Sequence, residues 1–431
     1  MAGQMPGPLA GVRVLEIGQY LAAPTAGQML ADMGAEVVKL EMPPHGDLTR
    51  TSRPAANAGG YTGFAPATGQ LAWFVYYNRG KQSVCIDVKR PQGSAIVKDL
   101  VRHFDVVIEN FTPGVLSKYG LNYETLSQAN PRLIMCSISG FGQTGPFAQM
   151  PANDTVAQAF AGVTYLTGEP DRAPVYSGFF IADRAGGLNA VTAISAALYQ
   201  RERTGAGQHI DLSLVECLFF LHDHQLADVL FSKGAVTPTR CGPHRDDHAP
   251  CGIFKAKDGY LILTVLDHQW VGFVRLMGRP ELIDDPRFVD LPTRSRHKLE
   301  LVPIIEGWLQ GFPSRDAATE FLMQNRFLSA PVLTLAEALN HPLMKAREAL
   351  QTLDVPGFGG VALPKTPYHF SGATVEIPRL MRLLGQDNQA VLQKYLGYDA
   401  DRVAALTAAG LLVEDEMLAA QRERGGPASK P

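Results

Sequence analysis

The 431-residue chain carries little surplus charge: 39 Lys and Arg stand against 42 Asp and Glu, a formal net charge of −3. Nucleic-acid binders show a strong basic excess, so no nucleic-acid partner is expected. No apolar run approaches the roughly 18 residues that a membrane-spanning helix needs, so no membrane partner is expected either. The opening, MAGQMPGPLAG, has neither the charged start nor the apolar stretch of a secretory leader. The last two residues are Lys-Pro, not the Lys-Leu of a peroxisomal address. A cytoplasmic protein is expected. Cysteine is scarce and odd in number (Cys85, Cys136, Cys217, Cys241 and Cys251), which is no disulfide framework and suits a reducing compartment. There is no G-x-S-x-G, no G-x4-G-K-[ST] phosphate loop and no internal repeat.

What is abundant is apolar residues, at 46%, with 42 Gly and 30 Pro. That is ample for a core, and a single core stops growing near roughly 250–300 residues, so two domains are expected. Short Val- and Ile-rich runs at 12–17, 36–41, 83–88, 105–111, 133–137 and 208–214 read as strands. The segments between several of them, such as 25–33, 91–104 and 184–203, read as helices. Buried apolar strands separated by helical crossovers predict an α/β fold with a parallel sheet. The texture changes at 234–250, a linker rich in Gly, Pro and Arg. Alternating runs around Lys257-Asp258-Gly259 then predict a hairpin, with helices at 269–276, 298–310 and 315–324. After Pro331 the chain reads as loop-rich, helical again beyond Leu383, and disordered over 421–431.

Four constellations could carry chemistry. Gly140-Phe141-Gly142-Gln143-Thr144-Gly145 is a literal G-x-G-x-x-G after a strand. Pro146 and Pro151 interrupt the helix it should open, so no NAD is expected; a glycine loop lining a crevice is the better account. Cys241, His244, His248 and Cys251 are ligand types crowded into one Pro-stiffened loop, whereas structural zinc sites draw ligand pairs from separate elements; no metal is expected. His222-Asp223-His224 falls in an apolar, helix-like run, where neighbours face different directions. Asp183 ends an apolar run and opens a long helix. Position alone makes it an N-cap. Gly186 and Gly187, one turn on, would open ligand space beside it, and the helix dipole would keep the carboxylate ionised.

Read together, the segments PLAGVRVLEIGQYLAAPTAGQMLADMGAEVVKLEMPPHGDLTR, NRGK, IDVK, VIENFTPGVLSKYGL, SISGFGQTGPFA, TGEPDRAPV, RTGAGQ, GRPELIDDPRF and LLGQ resemble, in collinear order, the family III CoA-transferases. The resemblance implies an interlocked, ring-like, obligate homodimer. Residues 1–230 and 333–431 would form a discontinuous Rossmann-like large domain, and 240–330 a small α+β domain. It implies a catalytic nucleophile at Asp183 that moves coenzyme A from an acyl-CoA to a free carboxylic acid acceptor through aspartyl intermediates. It implies CoA contacts at Tyr20, Leu21, Ala22, Ile86, Lys89, Asn110, Phe111, Lys118 and Tyr119. An acyl pocket would form around Gly140, Gly142, Asn153, Asp154, Gly186 and Gly187.

Departures narrow the activity. Formyl-CoA transferase has a glutamine where this chain has Leu21 and a basic residue where it has Met42, and its tetraglycine loop is missing, so another substrate is expected. The α-methylacyl-CoA racemases of the same superfamily need a His-Asp pair. The matching segment is Ala152-Asn153-Asp154, and an asparagine is no general base, which favours transfer over racemisation. Phe179 and Phe180 are expected to wall the acyl site; arginines there would instead indicate a dicarboxylate.

Overall fold

The computed structural model describes residues 6–50, 72–355, 359–380, 383–416 and 418. The expected disordered tail, 421–431, lies outside them. The described chain divides into two compact units. The first comprises residues up to Ala161, Gly178–Leu221 and those from Ala346 on; the second comprises Gly162–Ser177 and His222–Lys345. The expected division at 230 and 333 differs in detail. Gly162–Ser177, the helix His224–Phe231 and the segment up to Lys345 all go with the second unit.

The first unit is built on strands β1 (Arg13–Ile17), β2 (Glu36–Glu41), β3 (Lys81–Cys85), β4 (Val106–Glu109), β5 (Ile134–Ser139) and β6 (Gln208–Ser213). They form one sheet in the order β3-β2-β1-β4-β5-β6, parallel throughout, with Leu15 opposite both Val38 and Val107. This is the doubly wound arrangement whose order reverses between β1 and β4, and the crevice outside the carboxyl ends of those two strands is where such sheets take ligands. Strands β1, β4 and β5 are buried almost throughout, as strands covered on both faces must be.

The crossovers explain the burial. Helix α1 (Ala22–Asp32) is buried at every residue. The later helices of this unit are α2 (Ala72–Asn78), α3 (Pro91–Val101), α4 (Tyr123–Ala129), α5 (Asp154–Phe160), α7 (Ile181–Thr204) and α8 (Leu214–Phe220), while α6 (Val163–Leu166) and α9 (His224–Phe231) belong to the second unit. The small side chains of α1 let it sit between the sheet and α2 and α7. Pro91 opens α3, where a missing N–H costs nothing. One core joins Leu15, Val38, Val84, Val97 and Val107 to Val391, Leu392 and Leu412 of the chain's last part. That part also protects the edge strand: Asp387 and Asn388 accept from the N–H groups of Ser83 and Cys85 at 2.8 and 2.9 Å, which removes an exposed pairing edge.

The second unit contains the antiparallel strands β7 (Cys251–Ala256), β8 (Gly259–Thr264) and β9 (Leu328–Pro331), in that order. Lys257 and Asp258 make the tight turn of the expected hairpin, with Ala256 opposite Gly259. Helices Trp270–Leu276, Lys298–Leu309 and Arg315–Gln324 pack on it around Phe254, Leu263, Phe273 and Ile305. Two expectations fail. The helix expected to run on toward Leu230 breaks at Leu221–Asp223. The loop-rich stretch after Pro331 contains helix Leu335–Asn340 and an antiparallel pair, Leu350–Val355 with Gly359–Pro364. Among the described residues, no helix is long and apolar enough to cross a membrane.

Candidate active site

The loop after β1 lies at the point where the strand order reverses. Tyr20 stands there with φ +60°, in the left-handed region, half-exposed; a non-glycine residue held so is a mark of a functional site. Asn110, just beyond β4, braces the loop. Its side-chain oxygen accepts from Gln19 N–H and its amide donates to Gln19 C=O, both at 2.8 Å. Leu21 and Ala22, at the start of α1, are buried.

Beneath this loop lies a buried ionic network. The Lys39 ammonium meets Glu16 at 2.7 Å, Asp47 at 2.9 Å and the Gly18 carbonyl at 2.8 Å. Lys81 meets the other Glu16 oxygen at 2.6 Å, with Asn78 and the Pro24 carbonyl. Asp47 accepts from Thr49 and, at 3.3 Å, from Tyr20 N–H. Burial works against charge on both lysines. It pushes Lys81 down to about 8, against Glu16; on Lys39 it is outweighed by Asp47, Glu16 and Glu41, which hold the ammonium above its ordinary value. Sequence reasoning missed this network. Its signal was a single charge in each of two apolar strands, Glu16 in VLEI and Lys39 in VVKL.

Helix α7 meets α1 close to the loop. A side chain at Gly187 would stand 2.6 Å from Thr25 Cγ2 and 3.1 Å from the Ala22 carbonyl, and one at Gly186 would stand 2.5 Å from Leu214 Cδ2. Both glycines are therefore filled against protein. The expectation that they open ligand space is corrected: they bring α7 against α1 and α8. The result still serves the site, because Asp183 sits one turn before Gly187, near the first turn of α1.

Asp183 itself is in the first turn of α7 but does not cap it. Asp154 does, its Oδ2 accepting from Ala182 and Asp183 N–H at 2.7 and 3.0 Å, while its Oδ1 accepts from Gln158 at 2.5 Å. Asn153 caps α5, accepting from Val156 N–H at 3.0 Å. The Asp183 carboxylate has no hydrogen-bond partner among the described residues. Burial first, and the Asp154 charge second, push it up to about 7, against Arg184. The shift runs opposite to the helix-dipole effect that was expected to keep it ionised.

The remaining expected residues divide. Lys89 and Lys118 are exposed on segments that follow β3 and β4, with Phe111 and Tyr119 packed against the core nearby. Ile86 is fully buried in that core and its N–H bonds Glu41 C=O, so its side chain is core and not ligand surface. Gly140 C=O accepts from Ser213 Oγ and Val215 N–H, and Gly142 has φ +87°. Gln143 N–H donates to the Asp211 carboxylate at 2.9 Å. The next helix begins only at Asp154, so the 140–145 loop ties β5 to β6 and opens no helix. Phe179 and Phe180 are exposed, 62% and 47%.

His222-Asp223-His224 lies at the helix break, where His224 pairs with Asp223 and contacts Arg245 at 2.6 Å. In the other cluster His248 bonds the Val265 carbonyl and Cys251 bonds Thr264; these residues keep separate partners. Among the described residues, no group of three or more His, Cys, Asp or Glu could hold a metal ion.

The sequence profile of CoA-transferase family III matches residues 9–388. The chain belongs to CoA-transferase family III. A succinate–glutarate CoA-transferase of Agrobacterium fabrum is 38% identical over 391 residues, 89% of this chain and 95% of the relative. An acetyl-CoA:oxalate CoA-transferase of Acetobacter aceti is 37% identical over 85% of this chain and 90% of its own length. Among solved structures, a CAIB/BAIF family protein from Brucella suis aligns with a TM-score of 0.80 at 37% identity, covering 91% of this chain and all of that one. The six-stranded parallel sheet with its helices is the fold of that family III structure, and the expectation of a CoA-transferase enzyme holds at the level of the family.

Proposed function

We propose that the protein moves coenzyme A between an acyl-CoA and a free carboxylic acid, with Asp183 as covalent nucleophile. The observation that carries this is the placement of Asp183: a half-buried carboxylate without a hydrogen-bond partner among the described residues, one turn from the contact between α7 and α1. The carboxylate attacks the thioester carbonyl, the C–S bond breaks, and a mixed anhydride and CoA thiolate result. The thiolate attacks the aspartyl carbonyl, the donor acid leaves, and an aspartyl-CoA thioester remains. The acceptor carboxylate repeats both exchanges in reverse, freeing Asp183 and the new acyl-CoA. Each step trades one carbonyl substituent for another, so no proton or oxidant is needed. Exclusion of water preserves the thioester.

The loops carrying Tyr20, Leu21 and Ala22, and Asn110 and Phe111, lie outside β1 and β4, which supports CoA binding there. Lys89 and Lys118 supply local charge for its phosphates, consistent with a chain of net charge −3. The relatives act, by their names, on succinate, glutarate and oxalate, and a dicarboxylic acceptor is our reading here. Racemisation is disfavoured, because Asn153 caps α5 and cannot take a proton. We place the protein as a homodimer: Phe220 and Phe231 are 81% and 89% exposed, and α9 buries no residue. The test is to incubate the protein with acetyl-CoA and a panel of acids and read the product acyl-CoAs by mass spectrometry. Asp183→Ala should abolish exchange while leaving the oligomer intact. Exchange surviving that change, or α-proton exchange in its place, refutes the proposal.

A further inference from the structure

Arg184 follows Asp183 in the first turn of α7 and differs from the other inward arginines of its unit. Among the described residues, Arg13, Arg50, Arg79, Arg201 and Arg379 are the others that are buried or half-buried, and each is paired with a carboxylate at 2.7–3.5 Å. Arg184 is half-buried and, among the described residues, has no ion pair within 4.0 Å. Its guanidinium is nevertheless held. It lies 4.7 Å from the Tyr77 ring centre and 5.7 Å from that of Tyr76, and these rings meet edge to face at 5.1 Å. One nitrogen donates a long bond, 3.3 Å, to Thr25 Oγ1 on α1, and the guanidinium also hydrogen-bonds the Tyr77 hydroxyl. A guanidinium has five N–H donors, so these two neutral partners leave others uncommitted and supply no counter-charge. A positioned, incompletely satisfied guanidinium beside the reacting carboxylate suits a second carboxylate, which it can grip with two parallel bonds.

We infer that Arg184 binds the remote carboxylate of a dicarboxylic acceptor and so selects dicarboxylic over monocarboxylic acids. This rests on the acid-exchange reading of Asp183. It deepens that reading, because the nucleophile treats any carboxylate alike and cannot choose between acids. The two tyrosines fix the guanidinium at small conformational cost, and Thr25 ties it to the helix that opens at the Tyr20 loop.

The experiment compares glutarate with valerate, equal in chain length, as acceptors from acetyl-CoA. A monocarboxylic donor keeps Arg184 out of the donor half-reaction. In the unaltered enzyme kcat/KM should favour glutarate. In Arg184→Met that preference should fall about 10- to 100-fold, mainly through KM for glutarate. Arg184→Lys should recover part of it, because charge returns without the fork. Arg184→Gln serves as a second neutral variant if Arg184→Met folds poorly by circular dichroism. An unchanged glutarate-to-valerate ratio overturns the inference. So does an equal loss of kcat with both acids, the sign of an arginine that only steadies ionised Asp183. If the unaltered enzyme transfers CoA to no acid at all, the acid-exchange reading itself has failed, an outcome distinct from the first two.

Discussion

Asp183 and Asp154 are two carboxylates that the fold gives different work. Asp154 is buried and accepts two N–H groups at the start of α7; Asp183, next to it, has a carboxylate without such bonds among the described residues. The proposed nucleophile must be ionised, and burial together with Asp154 raises its pKa to about 7. The profile of kcat/KM against pH reports the free enzyme, so it should fall as the pH drops through about 7. Asp154→Asn keeps an oxygen acceptor for the two N–H groups but removes a like charge. The Asp183 pKa should then move down and the acid limb with it. A pH–rate profile of both proteins checks this; an unmoved limb would mean that Asp154 acts on Asp183 through geometry alone.

Helices α1 and α7 bring together Thr25 and Arg184, 159 residues apart in the chain. Their approach depends on a missing side chain at Gly187, and the buried ions under β1 and β2 hold the Tyr20 loop that α1 follows. Gly187→Val would set a branched side chain where even a Cβ stands 2.6 Å from Thr25. Overpacking of this kind costs about 1–3 kcal/mol. Chemical denaturation should show a loss of that order. Transfer activity should fall much further than the folded fraction, because the strain separates Asp183 from the Tyr20 loop. A variant that keeps full activity would show that the close contact is dispensable for the reaction.

For the whole molecule, the exposed aromatic residues are the feature a lone chain explains least. Phe231, 89% exposed, sits on a helix with no buried residue, and large exposed apolar groups of this kind mark protein interfaces. Sedimentation equilibrium should give twice the chain mass. Phe231→Asp should weaken the association without changing secondary structure by circular dichroism. A monomer at all concentrations would contradict the proposed homodimer.

The order of strands and helices in the first unit was legible in the sequence because buried parallel strands are written as unbroken Val and Ile runs, local signals that need no partner to be read. Asp183 stood out as a candidate nucleophile because it falls in a segment resembling the family III CoA-transferases. Its surroundings were not. Which of Asn153, Asp154 and Asp183 caps which helix depends on two helix starts meeting in space, and adjacent letters cannot show that. Gly186 and Gly187 read as open space in the chain and proved to be contact, because a glycine is equally good at admitting a ligand or a helix. Glu16, Lys39, Asp47 and Lys81 looked like isolated charges, and only folding makes them one network. Composition and local periodicity dictate the elements; distances between residues remote in sequence fix which carboxylate is left unbonded, and which arginine lacks a carboxylate partner, among the described residues.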